Sequence, residues 1–273
     1  MSRDASVRSQ AMRVVSLACS NTEIVCALGC ADLLVGVDDH SDRPAEVVAR
    51  LPRVGPDLQI DVAAVARLEP DLVLASLTVP GHENVVADLE GAGQPYLAPQ
   101  PVSLEDVYRD IGSIAQALGV SERGEQLAAE MRAALAPTTL TSPRPTVLVQ
   151  WWNRPTISPG RDSWVTDLIR AAGGCNPLAG EPVKSRPLSD EEVAALDPDI
   201  VILSWCGVAP EKVRPEVVFR NAQWQGVKAL KTRQVHRIPE AFLGRPGPGL
   251  VTGFTRLNEI VTKVKSQGLA GNL

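Results

Sequence analysis

The sequence predicts an α/β protein of two similar lobes with parallel sheets, joined by helix, with a ligand cleft between the lobes. Three observations carry that expectation. The phrase VARLEPDLVLAS at 65–76 returns without a gap as VAALDPDIVILS at 193–204. Each copy sits in a run of alternating helix-like and strand-like segments, a βαβ rhythm that lays strands side by side with helices over the faces. Between the two runs the rhythm stops, because 103–118 and 122–135 both read as helix with no strand between them.

Taken in order, 14–17 reads as a short strand. Ser20-Asn21-Thr22-Glu23 fits a capping box, opening a helix through Ala27 to a Gly29 stop. Segment 33–39, LLVGVDD, is the next strand. Asp61 caps the helix VAAVARL, which ends before Pro70. Residues 71–75, DLVLA, do not alternate, as expected of a strand buried on both faces. A helix over 83–92 and a strand in PYLAP follow. In 103–118 the residues Leu104, Val107, Ile111 and Ile114 form one stripe, and Ser121 caps the helix over 122–135. The second half then repeats the plan. It has a strand over 147–150, a helix over 163–172 ending at Gly173-Gly174, and Ser189 capping EEVAAL before Pro198. A strand over 199–203, a helix over 223–230 and a strand over 234–238 complete it. The expected organisation is an N-terminal lobe at 12–118, a bridging helix at 119–137 and a C-terminal lobe at 138–265.

Bulk properties exclude several function classes. A net charge of −5 leaves no basic footprint for nucleic acid. No apolar run reaches the ~18–20 residues of a membrane span. The N-terminal segment is polar up to Met12, and the run 14–19 is broken by Ser16, shorter than a signal-peptide core. As written, the chain is expected in the cytoplasm, and in the periplasm or outside the cell only if its start is truncated. Five cysteines without a secretion signal argue against a disulfide framework. Cys26 and Cys30, four apart, lack a partner pair at zinc spacing and read as buried small hydrophobes. All five tryptophans lie in the second half, as if for a local job such as lining a pocket or filling a core.

Several segments, in order, now carry a resemblance: VVSLACSNTEIVCALG, VGVDDHSDRP, LEPDLVLAS, SPGRDSWVTDLIRAAGGCNP, LSDEEVAALDPDIVILSWCG and FLGRPGPGLVTG. Over 12–261 the chain resembles the class III periplasmic-binding-protein superfamily, and within it the cobalamin-binding type of ABC-transporter substrate-binding protein. The resemblance implies two Rossmann-like lobes joined by one long rigid helix, here 122–135. It also implies a corrinoid, haem, siderophore or metal ion bound between the lobes and handed to an ABC permease.

Three histidines, His40, His82 and His236, are too few and too scattered for a bare-metal site, and His236 falls in a strand. A corrinoid, cobalamin or a relative, needs broad apolar walls and a few polar groups. His40 matches the position where relatives place a residue beside the corrin, either as an axial ligand of cobalt or as a stacking contact. Trp151, Trp152 and Ile157 fall where relatives have an aromatic wall, and Trp205 and Cys206 end the repeated strand. Phe242 and Arg245 occupy a proline-rich loop, with Arg245 a donor for amides or phosphate or else a surface salt bridge. Ser20 and Asn21 open the first helix at a strand end, where backbone N–H groups meet a ligand oxygen or are simply capped.

The pattern departs from the family in two places. The resemblance implies one permease-docking glutamate in each lobe. The second lobe offers Glu191, but the matching position of the first is Ala63, with Asp61 the nearest acid. After His40 come Ser41 and Asp42 instead of the family's Glu-Cys. Asp38, Asp39 and Asp42 read as a solvated acidic loop or a cation site. No nucleophile–base order and no phosphate-cradling glycine motif stand out, so no enzymatic activity is expected. The expected partners are a small-molecule ligand and an ABC permease, with no nucleic acid, no membrane insertion and a monomeric chain. The competing expectations are a haem, siderophore or metal-chelate binder of the same fold, or a corrinoid-modifying enzyme.

Overall fold

The computed structural model describes residues 11–138, 142 and 144–270. The chain separates into two compact units. One holds the described residues up to Gln100 together with Ile114–Ser121, and the other Pro101–Ser113 together with those from Glu122 onward.

The first unit opens with β1 (Val14–Ser16), α1 (Cys19–Ala27), β2 (Leu34–Val37) and α2 (Ala45–Val48). It continues with α3 (Val62–Arg67), β3 (Leu72–Leu74), α4 (His82–Gly91) and β4 (Tyr96–Leu97). The four strands form one parallel sheet in the order β2-β1-β3-β4. Val14, Val15 and Ser16 pair with Leu72, Val73 and Leu74, and Val15 and Val73 are fully buried. Strands covered on both faces need no polar alternation, which is why DLVLA reads as it does. The core runs from Val15 and Leu17 through Val65, Val73 and Ala75 to Val85 and Leu89.

Two helices without a strand between them follow: α5 (Leu104–Ala117) and α6 (Ser121–Ala134). Ser103 Oγ accepts the N–H of Asp106 at 3.1 Å and so caps α5. Arg132 of α6 lies over the Tyr108 ring of α5 and pairs with Glu105.

The second unit continues with β5 (Val147–Gln150), β6 (Thr156–Pro159), α7 (Trp164–Ala171) and β7 (Ser185–Leu188). Then come α8 (Asp190–Leu196), β8 (Ile200–Leu203), α9 (Pro215–Phe219), α10 (Lys228–Lys231), β9 (Val235–Arg237) and α11 (Leu250–Ala270). Its parallel sheet has the order β5-β8-β9, while β6 and β7 pair as a separate antiparallel ribbon. Leu148, Val201, Leu203 and Trp224 lie in a core that also takes in Val193 and Leu230.

The repeated phrase does the same work in both units. Glu69 and Asp197 take the left-handed conformation, φ 46° and 42°, just before the proline. That turn ends the helix, and the proline prevents its resumption. The aspartate after the proline then clamps the start of the neighbouring strand. Asp71 Oδ2 accepts the N–H of Arg13, and Asp199 Oδ2 that of Thr146, each at 2.8 Å.

Four expectations need correction. Ser20 does not cap α1: the N-cap is Ala18, its extended backbone makes no side-chain cap, and Ser20 lies inside the first turn. The helix begins two residues earlier than S-x-x-E implied. Segment 223–230 is not one helix. A 3-10 turn at Ala222–Trp224, capped by the Asn221 side chain, is separated from α10 by Gly226, a poor helix former. Asp38 is not solvated but fully buried. The three histidines are not all scattered, because His40 and His82 meet at Asp57. The ribbon β6–β7 and the helices α2, α9 and α11 were not anticipated.

Candidate functional site

The loop after β2 is built from its buried carboxylate outward. Asp38 Oδ1 accepts the Ser41 hydroxyl at 2.5 Å and Oδ2 accepts the N–H of His40 at 2.9 Å, a turn held by one side chain. Arg53 closes it from the other side, donating from Nη1 to the carbonyls of Asp38 at 2.7 Å and Ser41 at 2.6 Å. Thr22 of α1 links the Ser41 and Ser16 hydroxyls at 2.9 and 2.8 Å. Burial pushes the Asp38 carboxyl above its ordinary range, and the hydrogen bonds from Ser41 and His40 pull against it.

This frame fixes the His40 backbone and leaves its side chain 54% exposed. Its Nε2 lies 3.5 Å from Asp57 Oδ1. On the other side of the same carboxylate, Oδ2 lies 3.6 Å from Nε2 of His82, whose side chain is only 6% exposed. Beside these rings Asp57 is held below the ordinary carboxylate range, chiefly by His82 and also by His40. Asp57 had no signal in the sequence: it stands in a GPD turn outside every motif. Among the described residues no group of three or more His, Cys, Asp or Glu side chains is arranged to hold a metal ion.

Ser20 and Asn21 are buried in the first turn of α1. The Asn21 amide donates to the carbonyls of Leu74 and Ala75 at 3.3 and 2.6 Å, tying the helix to the end of β3.

A second set gathers at the strand ends of the other unit. Trp151 N–H donates to the Ile157 carbonyl at 2.7 Å, Ile157 N–H to that of Trp152 at 3.2 Å, and Cys206 N–H to that of Trp151 at 3.0 Å. Four of the sequence candidates are thus knit together by backbone. Trp152 is 45% exposed and Cys206 is also exposed. Trp205 turns the other way: it is buried, and its indole donates to Gln150 Oε1 at 2.9 Å while Gln150 donates to Thr156. It is a core residue whose polar edge is satisfied.

Phe242 ends a 3-10 turn, Glu240–Phe242, that α11 holds in place. A Cβ on Gly253 would fall 1.9 Å from the Phe242 carbonyl oxygen, so only glycine lets the two segments approach. Arg256 lies over the Phe242 ring, and Arg245 pairs through Nε with Glu240 at 3.2 Å, both side chains mostly buried. On α8, Glu191 is exposed, while Glu192 completes a capping box with Ser189 and pairs with Arg186. Ala63 is exposed on α3, and Asp61 is occupied as its N-cap.

Residues 14–242 match the family described as periplasmic binding protein. The chain belongs to the periplasmic binding protein family. It is 27% identical over 268 residues to an uncharacterized ABC transporter substrate-binding lipoprotein, YvrC, of Bacillus subtilis (strain 168), covering 95% of this chain and 82% of that one. It is 26% identical over 258 residues to a vitamin B12-binding protein of Vibrio parahaemolyticus, covering 93% and 90%. Among solved structures it is similar to the apo form of a periplasmic heme-binding protein, RhuT, of Roseiflexus sp. RS-1. That match has a TM-score of 0.78 at 28% identity and covers 93% of this chain and 99% of that one. Among the described residues no helix is long and apolar enough to cross a membrane.

Proposed function

We propose that this protein binds a metal-bearing tetrapyrrole, cobalamin or a related corrinoid first, and presents it to an ABC permease. One observation carries the reading: a half-exposed imidazole, His40, stands at a strand end on a backbone fixed by a buried carboxylate. Neutral imidazole is a good ligand for cobalt and iron. In the second unit, taken by itself, the exposed Trp152 presents a flat apolar surface of the kind a macrocycle packs on. The vitamin B12-binding relative supports the corrinoid reading. A specific observation favours haem as the second reading, because the solved relative at 28% identity is described as heme-binding.

The role is that of a carrier and not a catalyst: it holds and releases its ligand unchanged. Permease docking falls to Glu191, the exposed acid of α8. The matching α3 position, Ala63, supplies no charge, so docking would be electrostatically one-sided. The chain acts as a monomer.

The test is a titration with aquocobalamin, cobinamide and haemin followed by visible absorbance. Saturation at one ligand per chain, with a shift in the metal-sensitive bands that His40→Ala abolishes, is the expected result. No binding of any of the three at ~100 μM, weaker than about −5.5 kcal/mol, would sink the proposal.

A further inference from the structure

Behind the His40 ring lies a connected line of groups, all in the first unit. The backbone N–H of Val79 donates to His82 Nδ1 at 3.3 Å. A nitrogen that accepts a hydrogen bond offers its lone pair, so the neutral His82 ring keeps its proton on Nε2. That Nε2 is buried without a hydrogen bond, and the carboxylate oxygen facing it, Asp57 Oδ2, lies 3.6 Å away. The other oxygen of Asp57 faces His40 Nε2 at 3.5 Å. An ionised carboxylate only accepts, so it draws the proton of a neutral His40 ring onto Nε2 as well. The lone pair of His40 then resides on Nδ1.

We propose that Asp57, itself oriented by His82, is a positioning residue that selects the Nε2–H tautomer of His40 and thereby offers Nδ1 as the atom that meets a ligand's metal. Two constraints act on one residue: Asp38 fixes the His40 backbone through its N–H, and Asp57 fixes the ring. Histidines that ligate metals commonly pair their other ring N–H with a carboxylate, which raises basicity and locks orientation. Asp57 stands beside His40 in that relation, and the buried His82 faces the second carboxylate oxygen at 3.6 Å.

The metal-binding step rests on the tetrapyrrole reading above; the tautomer does not. The first measurement is therefore made on the ligand-free, 15N-histidine-labelled chain, well above the histidine titration range, by two-bond imidazole correlation spectra. The expected result is His40 with its proton on Nε2 in the wild type and a mixed tautomer population in Asp57→Asn. Because a free neutral imidazole already favours Nε2–H, the change between wild type and variant decides the role of Asp57, and Asp57→Ala replaces Asp57→Asn if that variant folds poorly. The second measurement titrates aquocobalamin into both proteins. Asp57→Asn should weaken binding about 10–100-fold, the usual cost of losing such a partner. His40 protonated on Nδ1 in the wild type would overturn the proposal. So would an Asp57→Asn variant with an unchanged tautomer or unchanged affinity. Failure of the wild type to bind any tetrapyrrole would instead sink the functional reading, and the tautomer result would stand by itself.

Discussion

The Asp199 carboxylate accepts the backbone N–H of Thr146 at 2.8 Å, and it also takes the Thr146 hydroxyl at 2.9 Å. The same oxygen thus takes both the backbone and the side-chain donor of the residue just before β5. Removing a hydrogen-bonded carboxylate at a partly buried strand start leaves two donors without their partner. Asp199→Ala should lower unfolding stability by about 1–3 kcal/mol in urea melts, with an unchanged slope. Asp71→Ala, which frees the Arg13 N–H, should lower it as well. Loss below about 0.5 kcal/mol for both would show that the repeated aspartate is not a clamp.

Two serines separate a real cap from an apparent one. Ser189 accepts the N–H of Glu192 at 3.2 Å, and the Glu192 side chain returns to the Ser189 N–H at 2.8 Å. Ser189→Ala should cost about 0.5–2 kcal/mol. Ser20 has the same S-x-x-E spacing but caps nothing, so Ser20→Ala should stay within about 0.5 kcal/mol of wild type. Equal losses in thermal melts would contradict the assigned start of α1.

Asp110 gives a pH signature. Burial pushes its carboxyl up to about 6, and its Oδ2 is buried without a hydrogen bond. A folded pKa above the unfolded one means the native state holds the extra proton between the unfolded carboxylate range and about 6. Stability from this group is therefore highest in acid and declines as pH rises through that window. Asp110→Asn should match wild type near the bottom of the window and exceed it above the top. A stability difference that does not change with pH would refute this.

Gly253→Ala should destabilise by about 1–3 kcal/mol, because the new methyl group has no room beside the Phe242 carbonyl. The displaced segment carries Arg245 and Glu240, so ligand affinity should fall with it. A melt equal to wild type would show that α11 and the Phe242 turn can part without cost.

Trp152 and Trp205 should part company in their variants. Trp152→Ala removes an exposed ring and should leave the melt unchanged while weakening tetrapyrrole binding up to about tenfold. Trp205→Phe keeps the ring volume roughly but leaves Gln150 Oε1 without its donor, and should cost stability first. The reverse outcome would exchange their roles.

The repeated phrase was legible because it packs several local instructions together: a helix face, a breaker and a buried strand. β5 and β8 end where expected because unbroken apolar runs and Pro or Asp punctuation define them. The ribbon β6–β7 was not legible. TISP and SRPL each carry a proline, Pro159 and Pro187, which removes a backbone donor and disguises a strand. The short helices α2 and α9 begin after or at Pro44 and Pro215, where proline reads equally well as a loop. At the candidate site, His40 was legible from its motif, but Asp57 and His82 were not. Their meeting depends on two loops and the first residue of α4 converging within the first unit, which no periodicity encodes. Asp38 was read with Asp39 and Asp42 as a solvated acidic loop or a cation site, whereas its hydrogen bond with Ser41 lets both Asp38 and Ser41 be buried.

All five tryptophans belong to the second unit. Near-ultraviolet-excited emission at indole wavelengths is therefore a reporter of that unit alone, whereas far-ultraviolet dichroism sums the helices of both. Superimposed melting curves from the two signals would mean that the first unit, optically silent in emission, comes apart in the same cooperative event. Separated curves would resolve two transitions within one chain and assign each to its half without a single label.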